Sequence, residues 1–425
     1  MTKIAGEIII SKITFTQAQK RIKTVSDFKK EIKNNLEKKV SELLEIILIG
    51  AIILEASDFH IEPQEKQTRT RARIDGMLQD ILILKPEIYS SLLSRIKMLS
   101  GIKLNITNKA QDGRFSVMVN ETTIEIRTST LPAEYGESIV LRVLNPKNLM
   151  GLEKLGLRKD LLTTFNKETK KPNGMIIVTG PTGSGKTTTL YAFLKKIQKP
   201  EIKIITIEDP IEYHLEGISQ TQVDPKKGYD FANGLRSIMR QDPNVILVGE
   251  IRDFETAQIA LQSALTGHLV LSTLHANDAA STIFRLINLG VSPSSIGSGL
   301  NMVVAQRLVR KMCKKCVKLE EISTQDLKEI KKALNFKKIP KKMKAPKAKG
   351  CEYCNFTGYK ERTGIFESFL VDDEIKQFIL SSPSVSGLRQ LIIKKGMLTL
   401  YQDGLLKVLN RETTLEEVKR VAGEQ

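Results

Sequence analysis

The stretch Met175-Ile-Ile-Val-Thr-Gly180-Pro-Thr-Gly-Ser-Gly-Lys-Thr187 decides how this chain is read. An apolar run short enough for one strand leads straight into the pattern Gly-x-x-x-x-Gly-Lys-Thr, and Thr188-Thr-Leu-Tyr-Ala-Phe-Leu-Lys195 continues it with helix formers. Such a turn aims successive backbone N–H groups at phosphate oxygens at the start of a helix. Glycine is needed there because a Cβ would hold the backbone away from the anion. Gly180, Pro181, Thr182, Gly183, Ser184, Gly185 and Thr188 are therefore expected around a nucleoside triphosphate, with Lys186 against the β- and γ-phosphates and the Thr187 hydroxyl on Mg²⁺. A chance match would lack the strand before and the helix after.

Downstream, three more apolar runs alternate with helical stretches: Lys203-Ile-Ile-Thr-Ile207, Val245-Ile-Leu-Val248 and Leu269-Val-Leu-Ser272. Runs apolar on both faces mark buried parallel strands covered by helices on each side. Ligands of such sheets bind at the carboxyl ends of the strands, and each run ends in polar residues. The second is followed by Glu208 and Asp209, the third by Gly249-Glu-Ile-Arg-Asp253. A P-loop hydrolase needs carboxylates there to hold Mg²⁺ through water and to orient or deprotonate the attacking water. Glu208, Asp209 and Glu250 are the candidates, and the residues do not say which of Glu208 and Glu250 activates the water. His268 and His275 bracket the fourth run and are candidates for sensing the γ-phosphate, against the ordinary reading of hydrogen-bonded core histidines.

The four cysteines form two pairs, Cys313-x-x-Cys316 and Cys351-x-x-Cys354. Two knuckles joined by a long loop describe a structural zinc site with four thiolate ligands and no open position. Disulfides are disfavoured in a reducing compartment, and a redox dithiol needs no second pair.

With 425 residues the chain should hold several units. Leu43 to Leu54 is too short for a bilayer and reads as a buried or amphipathic helix. The amino terminus lacks the pattern of a secretory signal, so a cytoplasmic location is expected. Residues 1 to 40 carry ten Lys and Arg against four acids, and residues 311 to 350 fourteen Lys against four, so these stretches hold 16 of the 18 excess positive charges. A nucleic-acid motor is expected to line its ATPase core with basic and aromatic residues, which this core does not do. The local patches suit an acidic protein or an anionic membrane surface better. From Ala56 to about Leu144 short alternating segments predict hairpins, Thr68–Ile74 with Met77–Ile83 across Asp75-Gly76, and Arg114–Val119 with Thr122–Arg127 across Asn120-Glu121, with a helix over Glu87–Leu99. Helical periodicity returns from Asp372 to Val421.

Taken together, these residues resemble the ATPases of type II secretion and type IV pilus assembly. In the small domain the resemblance rests on Ala56-Ser-Asp-Phe-His-Ile-Glu-Pro63, Arg73-Ile-Asp-Gly76, Gln111-Asp-Gly-Arg114 and Gly136-Glu-Ser-Ile-Val-Leu-Arg142. In the motor domain it rests on the P-loop, Ile207-Glu-Asp-Pro-Ile-Glu212, Leu235-Arg-Ser-Ile-Met-Arg-Gln-Asp-Pro243, Gly249-Glu-Ile-Arg-Asp253 and Thr266-Gly-His-Leu-Val-Leu-Ser-Thr-Leu-His275, and in the tail on Gly396-Met-Leu-Thr-Leu-Tyr-Gln-Asp-Gly404.

The resemblance implies an α/β chain made of a charged arm (1–40), a small α/β, PAS-like domain (41–148), a RecA-like P-loop ATPase domain (149–310), a tetracysteine zinc insert (311–360) and a helical C-terminal subdomain (361–425). It implies a Mg²⁺-dependent, homo-hexameric ATPase, peripheral to the inner membrane, that uses ATP-driven domain closure to act on a membrane platform protein. Arg127 and Arg142 would be arginine fingers on the γ-phosphate, and Arg236 and Arg240 would line the same cleft or a subunit interface. By the same resemblance, the separate N-terminal domain common in such proteins is expected to be reduced to the arm or missing. The alternatives are a RecA-like nucleic-acid motor and a DNA-uptake ATPase of competence systems.

Overall fold

The computed structural model describes residues 6–335, 339–340, 343–381 and 384–423. Lys337, Lys338, Lys341 and Lys342 of the expected basic insert lie outside the described residues, as do the first five residues of the arm. The chain forms two compact units, one of residues 1–148 with 313–317 and 348–361, the other of residues 149–312 with 318–347 and 362–425.

The first unit is built on a seven-stranded sheet of β1 (Glu7–Ile10), β2 (Asp58–Pro63), β3 (Thr68–Ile74), β4 (Met77–Leu84), β5 (Gln111–Val119), β6 (Thr122–Ala133) and β7 (Gly136–Leu144), in the order β1-β5-β6-β7-β2-β3-β4. Both expected hairpins form, closed at Asp75-Gly76 and Asn120-Glu121, where Asp75, Gly76, Asn120 and Glu121 take positive φ. Helices α1 (Lys12–Arg21), α2 (Val25–Lys33), α3 (Val40–Ile53) and α4 (Pro86–Leu99) pack with it. Ser11 caps α1, and Thr24 with Asp27 forms a reciprocal capping box on α2. The basic arm therefore carries its own apolar stripe: Phe15, Ile22, Val25, Phe28 and Ile32 join the core of the small domain. Gly50, which interrupts the apolar run of α3, makes this packing possible, because a Cβ there would stand 2.0 Å from the Phe28 ring. Deeper still, the Lys97 ammonium donates to both oxygens of Glu137 at 2.7 and 3.0 Å and to the Ile106 carbonyl at 2.8 Å, with both side chains buried.

The second unit follows the doubly covered plan expected from the four apolar runs. Helix α5 (Lys159–Glu168) leads to β8 (Gly174–Thr179), α6 (Lys186–Ile197), β9 (Ile204–Glu208), β10 (Ser219–Gln222), α7 (Phe231–Met239), β11 (Val245–Val248), α8 (Phe254–Leu265), β12 (Leu269–Leu274), α9 (Ala279–Asn288), α10 (Pro293–Gly299) and β13 (Leu300–Met312). A two-stranded ribbon, β14 (Lys318–Glu321) with β15 (Lys344–Lys347), brackets α11 (Thr324–Ala333). Then come β16 (Tyr359–Leu370), α12 (Asp373–Leu380), α13 (Val385–Lys394), α14 (Leu400–Leu409) and α15 (Leu415–Ala422).

The sheet runs β10-β9-β11-β12-β8-β13-β16, with the pairs from β10 through β13 parallel. Ile177, Ile246, Val270 and Val303 face one core, and Ile176, Val245, Leu271 and Val304 face the other, so alternate residues of each strand are buried on opposite sides. The insert between the cysteine pairs does not act as one body: α11 packs Ile330 and Leu334 against Tyr401 and Leu405 of α14, whereas the cysteine segments belong to the first unit.

Candidate functional site

Parallel pairing puts the ends of β8, β9, β11 and β12 at one edge, and the P-loop leaves β8 there. Gly180, Gly183 and Gly185 all have positive φ, and Gly185 precedes the first turn of α6. Lys186 folds back so that its Nζ donates to the Gly180 and Pro181 carbonyls at 2.9 and 3.2 Å. Burial pulls its ammonium below the ordinary lysine range, and the charge of Glu250 opposes that pull.

Glu250 leaves β11 two residues beyond Val248 and is the hub of this edge. One oxygen is paired with the Arg252 guanidinium, and the other lies 3.3 Å from His275 Nε2. Arg252 also donates to Asp209 at 3.3 Å, which joins the ends of β9, β11 and β12 in one polar chain. Arg252 was not singled out from the sequence, although it stands inside the quoted Gly249–Asp253 stretch.

Glu208 is placed differently. Its carboxylate is 3 % exposed and accepts from the Tyr191 hydroxyl, from Thr206 Oγ1 and from Gln220 Nε2 at 3.2 Å. Burial raises its pKa, against the lowering effect of those three donors. Among the described hydrogen bonds and ion pairs, Glu250 and Asp209 share the Arg252 chain and Glu208 does not.

The expectation that both histidines flank the ligand edge is corrected. His268 precedes β12, whose Leu269 is level with Gly174 at the start of β8, and its Nδ1 lies 3.0 Å from the Ser263 carbonyl at the end of α8. Six residues of strand, roughly 20 Å, separate it from His275. His268 closes a helix end rather than facing the P-loop.

Arg236 on α7 pairs with Glu255 at the start of α8, and the Arg240 guanidinium turns back to the Arg236 carbonyl and the Ser237 hydroxyl. In the first unit, register alone assembles a row no local pattern announces. Arg114 is level with Arg127, Arg127 with Arg142, Arg142 with Asp58, and Asp58 with Arg73, across β5, β6, β7, β2 and β3. Arg142 Nε is 2.9 Å from Asp58, Arg73 Nε is 3.4 Å from it, and Glu125 lies between Arg114 and Arg127 at 3.6 and 3.5 Å. Four guanidiniums and two carboxylates thus share one face of the sheet.

The cysteines also come together. A tetrahedron of thiolates about 2.3 Å from zinc has edges of about 3.8 Å. The sulfurs of Cys313 and Cys351 are 3.8 Å apart, and those of Cys316 and Cys354 and of Cys351 and Cys354 are 3.7 Å apart. All four lie within 4.8 Å of one another. Backbone N–H groups of Cys351 and Gly358 donate to Cys354 Sγ at 3.2 Å, as suits a thiolate. The donor set fits a structural divalent ion. The same knuckle reaches the arm, where Asn355 Oδ1 accepts the Val25 N–H at 2.7 Å, on the first turn of α2.

Comparison with known proteins agrees with this architecture. The sequence profile of the family described as Type II/IV secretion system protein matches residues 33–420. The Type II secretion system protein E of Dickeya dadantii is 46 % identical over 387 residues, which is 91 % of this chain and 76 % of that protein. The type IV pilus assembly ATPase PilB of Thermus thermophilus is 41 % identical over 383 residues, 90 % of this chain and 43 % of that one. Among solved structures, the pilus retraction motor PilT, crystallised with ADP, superposes with a TM-score of 0.60 at 27 % identity over 88 % of this chain and 95 % of its own.

Proposed function

The chain belongs to the Type II/IV secretion system protein family and is an ATP-hydrolysing enzyme, and on that premise we propose that it works as a hexameric motor powering assembly of a secretion pseudopilus or a type IV pilus. The observation that carries the chemistry is the Glu250 hub, which shares its sheet edge with the P-loop and His275.

In this reading the P-loop N–H groups take the phosphates, and Lys186 exchanges its loop carbonyls for phosphate oxygens, whose negative charge offsets the burial that disfavours its ammonium. Thr187 supplies the hydroxyl for Mg²⁺, which would neutralise charge on the phosphates. Glu250 orients a water and takes its proton as the water oxygen attacks the γ-phosphorus and the bond to the β-phosphate oxygen breaks. His275 holds the carboxylate in place and links its state to that of the fourth strand. Arg127 and Arg142 bind the γ-phosphate when nucleotide drives domain closure, leaving Asp58 and Glu125 as they do so. Arg236 and Arg240 line the same cleft or a subunit interface, the platform partner is a membrane protein, and the tetracysteine site holds zinc.

The test is ATP hydrolysis by purified protein. Lys186→Ala and Glu250→Gln should each abolish turnover in a folded enzyme. Strong stimulation of the wild type by duplex DNA, falling steeply with salt, would instead favour a nucleic-acid motor.

A further inference from the structure

Strand β13 lies against β8, with Ala305 level with Thr179. The next residue, Gln306, therefore stands beside the P-loop, and it is 2 % exposed. Three of its polar atoms meet the two ends of the loop and the helix that follows it. Its backbone carbonyl would be 2.5 Å from a Cβ on Gly180, where the loop begins. Its Nε2 would be 2.9 Å from a Cβ on Gly185, where the loop ends. Its Oε1 accepts the buried Thr189 hydroxyl at 2.6 Å, in the first turn of α6. One side chain thus touches the exit of the loop and the helix that carries Lys186 and Thr187, while its backbone closes the entrance.

These contacts explain more than packing. A nonpolar residue of similar size would fill the space, but it would leave the Thr189 hydroxyl buried without its acceptor. A loop built of glycines has many alternative conformations, and the anion-binding one is kept only if neighbours restrict it. We propose that Gln306 is a positioning residue for nucleotide binding, holding the P-loop in its phosphate-ready conformation through Thr189 and the Gly185 backbone. It acts through the loop and takes no part in the hydrolytic step. This inference rests on the ATPase reading, and the experiment separates the two.

Binding of a fluorescent ADP analogue is measured by titration, and the KM and kcat for ATP by steady-state hydrolysis, on full-length protein. Gln306→Ala and Thr189→Val should each raise Kd and KM about tenfold while leaving kcat within about threefold. The double variant should be little worse than either single one, because both remove the same link. Gln306→Glu keeps an acceptor for Thr189 but sets a carboxylate against the loop, so it should weaken binding at least as much. Gln306→Met, close in volume, stands in if the alanine variant does not fold. Wild-type Kd and KM in a folded Gln306 variant, or purely additive losses in the double variant, overturn the proposal. If wild-type protein itself fails to bind or hydrolyse nucleotide, it is the ATPase reading that fails.

Discussion

His275 Nε2 lies 3.3 Å from one oxygen of Glu250, whose other oxygen is held by Arg252, so the carboxylate is fixed at both ends although its two partners are on different loops. Glu208, by contrast, is satisfied within its own buried network. The two carboxylates should therefore separate in turnover assays. Glu250→Gln is expected to lower kcat about a thousandfold and Glu208→Gln less than about tenfold, with both proteins folded. Equal losses would assign the water-activating role to both or to the wrong one.

Burial raises the Glu208 pKa above its unfolded-state value. Such a group binds its proton more tightly when folded. Its stabilising contribution is complete below the unfolded pKa, about 4.3, and is lost as pH rises through the folded value. Glu208→Gln removes that dependence. Urea unfolding of both proteins at about pH 4 and about pH 8 should show the variant gaining on wild type at the higher pH. A constant difference, or the opposite trend, contradicts the assignment.

The buried Lys97–Glu137 pair should be costly to break and cheap to replace. Removing one partner, as in Lys97→Met or Glu137→Leu, leaves a charge without its partner and should cost about 3–5 kcal/mol. The double variant should recover much of that loss in denaturant melts. A double variant as unstable as the sum of the singles would show that the two groups act separately.

Removing metal from the tetracysteine site should be felt at the arm. The knuckle supplies the acceptor for the Val25 amide through Asn355. Chelation, or Cys354→Ser, should therefore speed hydrogen exchange at Val25 well before exchange at Leu92 in the middle of α4 changes. Unchanged protection at Val25 in metal-free protein would refute this link.

Much of this was legible because it is local. Strands apolar on both faces, such as Met175–Val178, must be buried, and a P-loop fixes its own geometry. What escaped is set by register and distance. His268 and His275 look equivalent in sequence, yet a six-residue strand puts them at opposite ends of the sheet. The end of β13 is hidden because Gln306, Arg307 and Arg310 break its apolar run, and the buried member of that polar series is the one that meets the P-loop. The row from Arg114 to Arg73 involves five strands that no window of sequence contains together.

The bond from Val25 to Asn355 spans 330 residues, which gives it a meaning in time. A ribosome adding roughly 5–20 residues per second takes about 17–66 s to make that interval. The sheet of the first unit is complete long before then, but the first turn of α2 stays uncapped by Asn355 until about three-quarters of the second unit has been synthesised. The unit that is made first is thus finished late, so a truncated chain lacking the second cysteine pair would carry an arm that never receives its last contact.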